Sequence, residues 1–521
     1  MDASVSNRYD AIVIGSGLGG LVAGALYARG GGRVLVLERQ ENFGGAATVY
    51  RHGSLSIEAS LHEIDGLDPG DPKMPLLKLL DLDRAVPFVD VGDLHEIRGP
   101  LIGEPFVLPH GVDAALAAGR ARFPRHADAL RRYFDLIVKL RDALAFMSRH
   151  AQDSGRWWAS HAAEALPKLW TLTWHGRSSV SDVLARLFGD DEAVKIAVAA
   201  NLAYYHDDPD GLPFLHYAVP QASYLCGGGH YVRGGSGVLS SYLVDVIRKS
   251  GGVAEARREA RRILLDGNRV VGVEHFGDGG DSRIDLAPVV FGNAAPHRLK
   301  EMLPAGSRER FWARYAGRQP SITLWTISLG LDRPAQSFGV RHYSTHVLPS
   351  WMVRLADIKH GAAIMADPDG DRLPPYAFVD YGQIDSGLNE QGPHLASLCG
   401  VDRLANWAGL SVEQKRTRKG RWMDRLIADL DRQFPGLAAA VVQREMATAE
   451  TMQHYLNTPG GAVYGFAPES AGRLRVRADT AIDGLWLASA YTMGGGYSGA
   501  MVGGAFAARA AIAKTRIHAV S

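Results

Sequence analysis

The stretch from Tyr9 to Arg39, YDAIVIGSGLGGLVAGALYARGGGRVLVLER, leaves this chain few folds to choose from. Ala11 to Ile14 is a short apolar run rich in β-branched residues, the pattern of a strand buried on both faces. Gly15, Gly17 and Gly20 then spell G-x-G-x-x-G, and Leu21 to Arg29 reads as a helix. In such a turn the first glycine permits the tight bend. The second lets the backbone approach a pyrophosphate, and the third lets helix and strand pack closely. The phosphates would face N–H groups at the positive end of the helix. A second apolar strand, Val34 to Leu37, ends in Glu38, a carboxylate placed to accept the ribose hydroxyls of a dinucleotide. Two rival readings fail. A glycine-rich turn of some other α/β domain does not explain the second strand and its terminal acid. A signal peptide is suggested by the uncharged run Ala11 to Ala28, but glycines interrupt that run and no small-residue cleavage site follows it.

At 521 residues the chain is too long for one core and is expected to form two or three domains. A net charge of +1 gives no general reason to expect a nucleic-acid partner. The two cysteines, Cys226 and Cys399, lie far apart without metal-ligand spacing, so no metal site is expected. They fit plain thiols in a reducing compartment, and the expected location is the cytoplasm, with membrane association left open. No apolar run besides the fingerprint is long enough to span a bilayer.

Beyond the second strand, Gly44-Gly45 forms another close-approach glycine pair, and Gly53 to Ala59 alternates as a half-buried strand would. The series of βαβ-Glu, Gly-Gly and a strand ending in a small residue resembles the glutathione-reductase-type FAD proteins. Within these it is most similar to the phytoene desaturase, carotenoid isomerase and retinol saturase group. In the saturase branch a Gly-x-His-Tyr-x-Gly-like element follows the strand, and Ser60-Leu61-His62-Glu63-Ile64-Asp65-Gly66 resembles it without the aromatic. The resemblance implies that His62 lies near the isoalloxazine ring, as the one candidate catalytic residue. A histidine that only hydrogen-bonds the backbone is the plainer alternative.

Residues from about 95 to 200 read as helical. Leu116, Leu130, Phe134, Ile137, Leu140 and Leu144 recur at three- and four-residue spacing, and Pro124 separates two helices. Trp157, Trp158, Trp170 and Trp174 follow, interleaved with Arg156, Lys168 and Arg177. Tryptophans beside cations suit a peripheral membrane contact, and ordinary interhelical packing is the alternative. Asn201 to Gly211 is turn-rich, with Tyr204 and Tyr205 as candidate substrate residues. Gly234-Gly235 and the helix Val238 to Lys249 resemble the family's re-entry into the FAD domain. A hairpin turning at Gly267-Asn268 and an apolar strand, Pro288 to Asn293, come next. The resemblance puts the backbone of Ala260 at the adenine. Arg257, Arg258, Arg261 and Arg262 read as a solvated face rather than a phosphate patch. Ser321 to Leu331 is a strand whose Trp325 is a further substrate candidate, and Ser411 to Phe434 is an amphipathic helix.

Near the C-terminus, Leu485 to Ser489 reads as a buried strand, and Gly494 to Gly499 leads into an Ala- and Gly-rich helix from Ala500 to Ala513. Free N–H groups at that helix start would stabilise negative charge on a reduced flavin pyrimidine.

The fold class expected is α/β. It comprises a Rossmann-like FAD-binding domain of the glutathione-reductase type (1–95, 226–300 and 470–521) and an interleaved α+β substrate domain (96–225 and 301–469). The implied cofactor-binding set is Gly15, Ser16, Gly17, Leu18, Gly19, Gly20, Glu38, Arg39, Gly44, Gly45, Ala46, Ala47, Ala260, Ser489, Gly495, Gly496, Tyr497 and Ser498. The activity implied is desaturation, saturation or isomerisation of a long apolar polyene or isoprenoid, by hydride exchange with FAD. Electrons would pass to or from oxygen, a quinone or NAD(P)H. With one complete fingerprint, and a Glu38 that would repel a 2′-phosphate, no separate NADPH domain is expected. An amine oxidase-like enzyme is the rival of the same class. A non-catalytic lipid-binding protein of the GDP-dissociation-inhibitor type is the rival of another class.

Overall fold

The computed structural model describes residues 4–60, 62–150, 153–468 and 476–515. Leu61 of the quoted motif, and residues 469 and 470 where the sequence divides two segments, lie outside these.

The strands Ala11–Ile14 and Val34–Leu37 form as expected, and the helix between them runs Leu18–Arg29, three residues longer at its start than the sequence suggests. They sit in a five-stranded sheet ordered Val253–Glu255, Val34–Leu37, Ala11–Ile14, Val289–Gly292, Leu485–Leu487. Every pairing in it is parallel. Strand side chains alternate between faces, and both faces here are covered. Ala11, Val13, Val34 and Val36 pack under helices, whereas Ile12, Ile14, Leu35 and Leu37 meet Ile263, Val270 and Val273 of the hairpin Arg258–Asp266/Arg269–Gly277. The four arginines at that hairpin are ion-paired: Arg257 with Glu41 and Asp278, Arg258 with Glu255 and Asp281, Arg261 with Glu259, Arg262 with Glu274. Arg257, Arg261 and Arg262 are exposed, as a solvated face requires, whereas Arg258 is largely buried and lines the cavity beside Ala260.

On the helical face, Leu18–Arg29 lies between Ser236–Lys249 and the C-terminal helix. That last helix runs Gly496–Lys514, so it begins four residues before the Ala500 start expected. Tyr497 and Ser498 therefore belong to its first turn. Gly19 and Gly504 let it approach the first helix, because a Cβ on Gly504 would lie 3.0 Å from the Gly19 Cα and closer still to its carbonyl.

A seven-stranded sheet stands beside this layer, ordered Val441–Ala447, Thr323–Leu331, His394–Asp402, Tyr376–Asp380, Ser344–Val347, His95–Gly99, Gly103–Leu108. The helical reading of residues 95 to 200 fails at its start, where His95–Gly99 and Gly103–Leu108 form an antiparallel edge hairpin. Each strand is short and broken by Gly99-Pro100 and Gly103, which hides its alternation. From Val112 on the segment is helical, with Val112–Arg122 and Ala127–Arg149 separated at Pro124. One face of the large sheet packs on the amphipathic helix Val412–Gln433 through Trp422, Leu426 and Leu430.

Candidate functional site

A continuous cavity of about 1460 Å³ runs from the fingerprint turn to the face of the seven-stranded sheet opposite the helix Val412–Gln433. At the fingerprint end, glycines at 15, 17, 19 and 20 leave much of the backbone bare. Gly15 has φ +88°, a conformation that L side chains rarely adopt. Gly17 is extended, and a Cβ there would strike the Asn293 side chain. Asn293 directly follows the parallel strand Val289–Gly292, and its Oδ1 accepts from the Gly20 amide at 3.1 Å, tying the helix start to the sheet. The sequence reading passed over this residue; its only signal was a polar side chain at the carboxyl end of a buried strand, beside the fingerprint.

Glu38 is 5% exposed. Its Oε2 accepts from the Ser16 amide at 2.9 Å and the Ser16 hydroxyl at 2.6 Å, and its Oε1 accepts from the Gln40 amide at 2.8 Å. A carboxylate has about four acceptor sites, so capacity remains for a ribose hydroxyl. The Ser16 Oγ also accepts from the Gly44 amide at 3.0 Å, which joins the two glycine turns. Gly44 and Gly45 take φ +113° and +62°, and Leu18, Gly19, Ala46 and Ala47 line the cavity beyond them. Arg39 stands at the rim with its guanidinium donating to the carbonyls of His454 and Tyr455. Ala260 lines the cavity from the hairpin strand. Bare glycine backbone at a helix start, with a buried acceptor at the end of the next strand, suits a dinucleotide.

At the C-terminal end, Ser489 accepts from the Tyr491 amide at 3.4 Å. A Cβ on Gly495 would overlap the Tyr464 ring. The Tyr497 hydroxyl lies 3.1 Å from the Ser60 hydroxyl, and Ser498 donates to Asp65 at 2.5 Å. Asp65 and Asp71 flank Lys73, whose side chain is only 3% exposed, at 3.4 and 2.9 Å. These carboxylates hold the buried ammonium above its usual range, against the opposing effect of burial.

The wall facing this end is polar. The Tyr204 hydroxyl lies 2.9 Å from His62 Nδ1 and 3.1 Å from Nε2. Tyr343 donates to the His62 carbonyl at 2.5 Å. Burial, with His346 nearby, drives the His62 pKa down to about 3, so its ring is neutral. Burial likewise lowers His346 to about 4 and, with Asp65, lifts Glu63 to about 8. Tyr205 bonds Gln221 at 3.2 Å and also lines the cavity. Tyr204, Tyr343 and His346 reach His62 from two remote segments, which is why the sequence yielded no acid/base constellation.

Trp325 is a correction. It is fully buried in the core beneath the sheet, packed against Gly400. Strand alternation sends Leu324, Thr326 and Ser328 to the cavity and Trp325 the opposite way.

Residues 13–78 match the family described as NAD(P)-binding Rossmann-like domain. Along nearly its whole length the chain is similar to prolycopene isomerase of Daucus carota chloroplasts, at 22% identity over 92% of this chain and 76% of that protein. It is also similar to all-trans-retinol 13,14-reductase of Homo sapiens, at 23% identity over 99% of this chain and 87% of that one. Among solved structures, an oxidoreductase from Methanosarcina mazei superposes with a TM-score of 0.62 at 17% identity, over 96% of this chain and 99% of that one. Putrescine oxidase bound to putrescine superposes with a TM-score of 0.59 at 13% identity, over 97% and 99%. The class these features define is the FAD-dependent oxidoreductases with a Rossmann-like nucleotide domain. Within it, full-length relatives of both kinds support the phytoene desaturase/retinol saturase-like family that the motifs implied.

Proposed function

We propose that the chain binds FAD and uses it to desaturate, saturate or isomerise carbon–carbon bonds of a long isoprenoid-like substrate. The observation that carries this reading is the continuity of the cavity, which joins Gly17 and Glu38 to Leu324 and Val401 without a partition. The first-turn amides of Leu18–Arg29 would hold the pyrophosphate, Glu38 the ribose, and the backbone at Ala260 the adenine. The first turn of Gly496–Lys514 would face the pyrimidine edge, where the positive end of a helix favours negative charge. Bound FAD supplies the hydride acceptor or donor. The protein supplies orientation and a wall that excludes water. Oxygen, a quinone or NAD(P)H would complete the electron balance.

Among the described residues no helix is long and apolar enough to cross a membrane. The helix Ala162–His175 instead exposes Trp170 (67%) and Trp174 (65%), stacked 5.8 Å apart, beside Leu166. The cavity lining includes Gly176, directly after this helix. A peripheral membrane contact here would let a lipid-dissolved substrate reach the site.

An amine substrate fits less well, because His62 and a Glu63 lifted to about 8 are neutral at pH 7, and the Asp65 and Asp71 carboxylates on this wall are already paired with Lys73. The test is an absorbance spectrum of the purified protein incubated with FAD, repeated after anaerobic addition of NADPH or NADH. Flavin bands that bleach favour saturation or reduced-flavin isomerisation, and bands that persist favour desaturation. No bound flavin would remove the redox reading and leave a lipid-binding protein.

A further inference from the structure

A lysine is almost never enclosed unless it is paired, and the Lys73 side chain is 3% exposed. Its ammonium lies between Asp71 at 2.9 Å and Asp65 at 3.4 Å. The backbone closes around the three. Gly66 takes φ +70°, and a Cβ there would strike Asp71 Oδ2 and come within 2.9 Å of Lys73 Nζ. The Lys73 amide also donates to Asp71 Oδ1 at 2.9 Å, which fixes the turn that carries both residues. Asp65 is engaged at both oxygens. Its Oδ2 faces Lys73, while its Oδ1 accepts from the Ser498 hydroxyl at 2.5 Å, in the first turn of Gly496–Lys514. Asp65, Asp71, Lys73 and Ser498 all line the cavity. We propose that Lys73 is a positioning residue for the redox reaction: it holds the Asp65 carboxylate on Ser498 and offsets its charge at the helix start, so that bound FAD is more easily reduced. This rests on the FAD reading above.

Two carboxylates against one ammonium leave a single negative charge in this cluster, because the neighbouring Glu63 is protonated at pH 7. Arg141, beyond it, is matched by Asp68 at 3.0 Å and Asp142 at 3.3 Å. The first turn of a helix is positive and favours the negative charge that reduction brings. A carboxylate bonded to that same turn opposes it. The opposition is strong in a buried site, where neither water nor salt screens it well. Lys73 cancels much of that opposition while leaving Asp65 free to hold Ser498. The two partners therefore act with opposite signs. Deleting the ammonium makes reduction harder, and deleting the Asp65 charge makes it easier.

The test is the midpoint potential of the FAD-loaded full chain, titrated spectroscopically against dyes of known potential. Lys73→Gln should shift the reduction equilibrium about tenfold or more toward the oxidised form, a fall of about 30 mV for a two-electron couple. Lys73→Arg, which keeps the charge, should recover most of that shift. Asp65→Asn should raise the potential by a similar amount. It keeps the Lys73–Asp71 pair, so it reports on the proposal even where Lys73→Gln does not fold. Potentials that stay at the wild-type value, or a fall in Asp65→Asn, would overturn the proposal, and a purely structural ion pair predicts one of these results. Wild-type protein that binds no FAD would remove the redox reading itself, whereas bound FAD with unmoved potentials would remove only the role of Lys73.

Discussion

The carbonyl of Gly19 in the fingerprint helix faces Gly504 of the C-terminal helix with no space for a Cβ between them. Gly504→Val should lower stability by about 1–3 kcal/mol by forcing the helices apart. Gly420, in the middle of Val412–Gln433, meets nothing within 4 Å and has ordinary helical geometry. Gly420→Ala should therefore stabilise by about 0.5–1 kcal/mol. Urea unfolding of the two variants should move in opposite directions, and equal shifts would refute the close-packing account.

Glu38 is held in place by Ser16 and Gln40 with acceptor capacity to spare. Glu38→Gln should weaken FAD binding by about 10- to 100-fold, the range for one hydrogen bond to a charged group. Flavin fluorescence titration measures this, and an unchanged affinity would remove Glu38 from the site.

Glu63 gives stability a pH dependence of known sign. Its carboxyl is lifted from an ordinary 4.5 to about 8 by burial, so unfolding releases a proton between those values. The contribution is whole below 4.5 and is lost as the pH climbs to about 8. Glu63→Gln removes the titration. Its denaturant midpoint should gain on the wild type steadily from about pH 5 to about pH 8. Parallel curves for the two proteins would show that Glu63 ionises normally.

Trp170 and Trp174 are exposed and stacked on Ala162–His175. Replacing both with serine should leave folding stability within about 0.5 kcal/mol. Partitioning onto phosphatidylcholine/phosphatidylglycerol vesicles should drop by about tenfold or more. Cosedimentation gives the answer, and retained vesicle binding would place the contact elsewhere.

The nucleotide end of the site was legible in the sequence because it is local. Gly15, Gly17, Gly20 and Glu38 act through backbone turns and strand ends fixed within a short stretch of chain. The wall opposite was not, because Tyr204, Tyr343 and His346 reach His62 only through tertiary packing. Asn293 was overlooked for a related reason: it acts on Gly20, which is remote in sequence. Trp325 was assigned to the cavity because it is large and aromatic, although a strand gives each neighbour the opposite face. The hairpin His95–Leu108 was missed because its strands are too short to display a period. The early start of the C-terminal helix was missed because glycines at 496 and 499 depress helix propensity, which the bonds of Tyr497 to Ser60 and of Ser498 to Asp65 override.

The alternation that misled the reading of Trp325 has a use. On Thr323–Leu331, residues 325, 327 and 329 face the core and 324, 326 and 328 face the cavity. Core packing and cavity lining are thus inherited on interleaved positions of one strand. A lineage, or a library randomised at 324, 326 and 328, can explore new substrates while the residues that keep the sheet folded stay untouched.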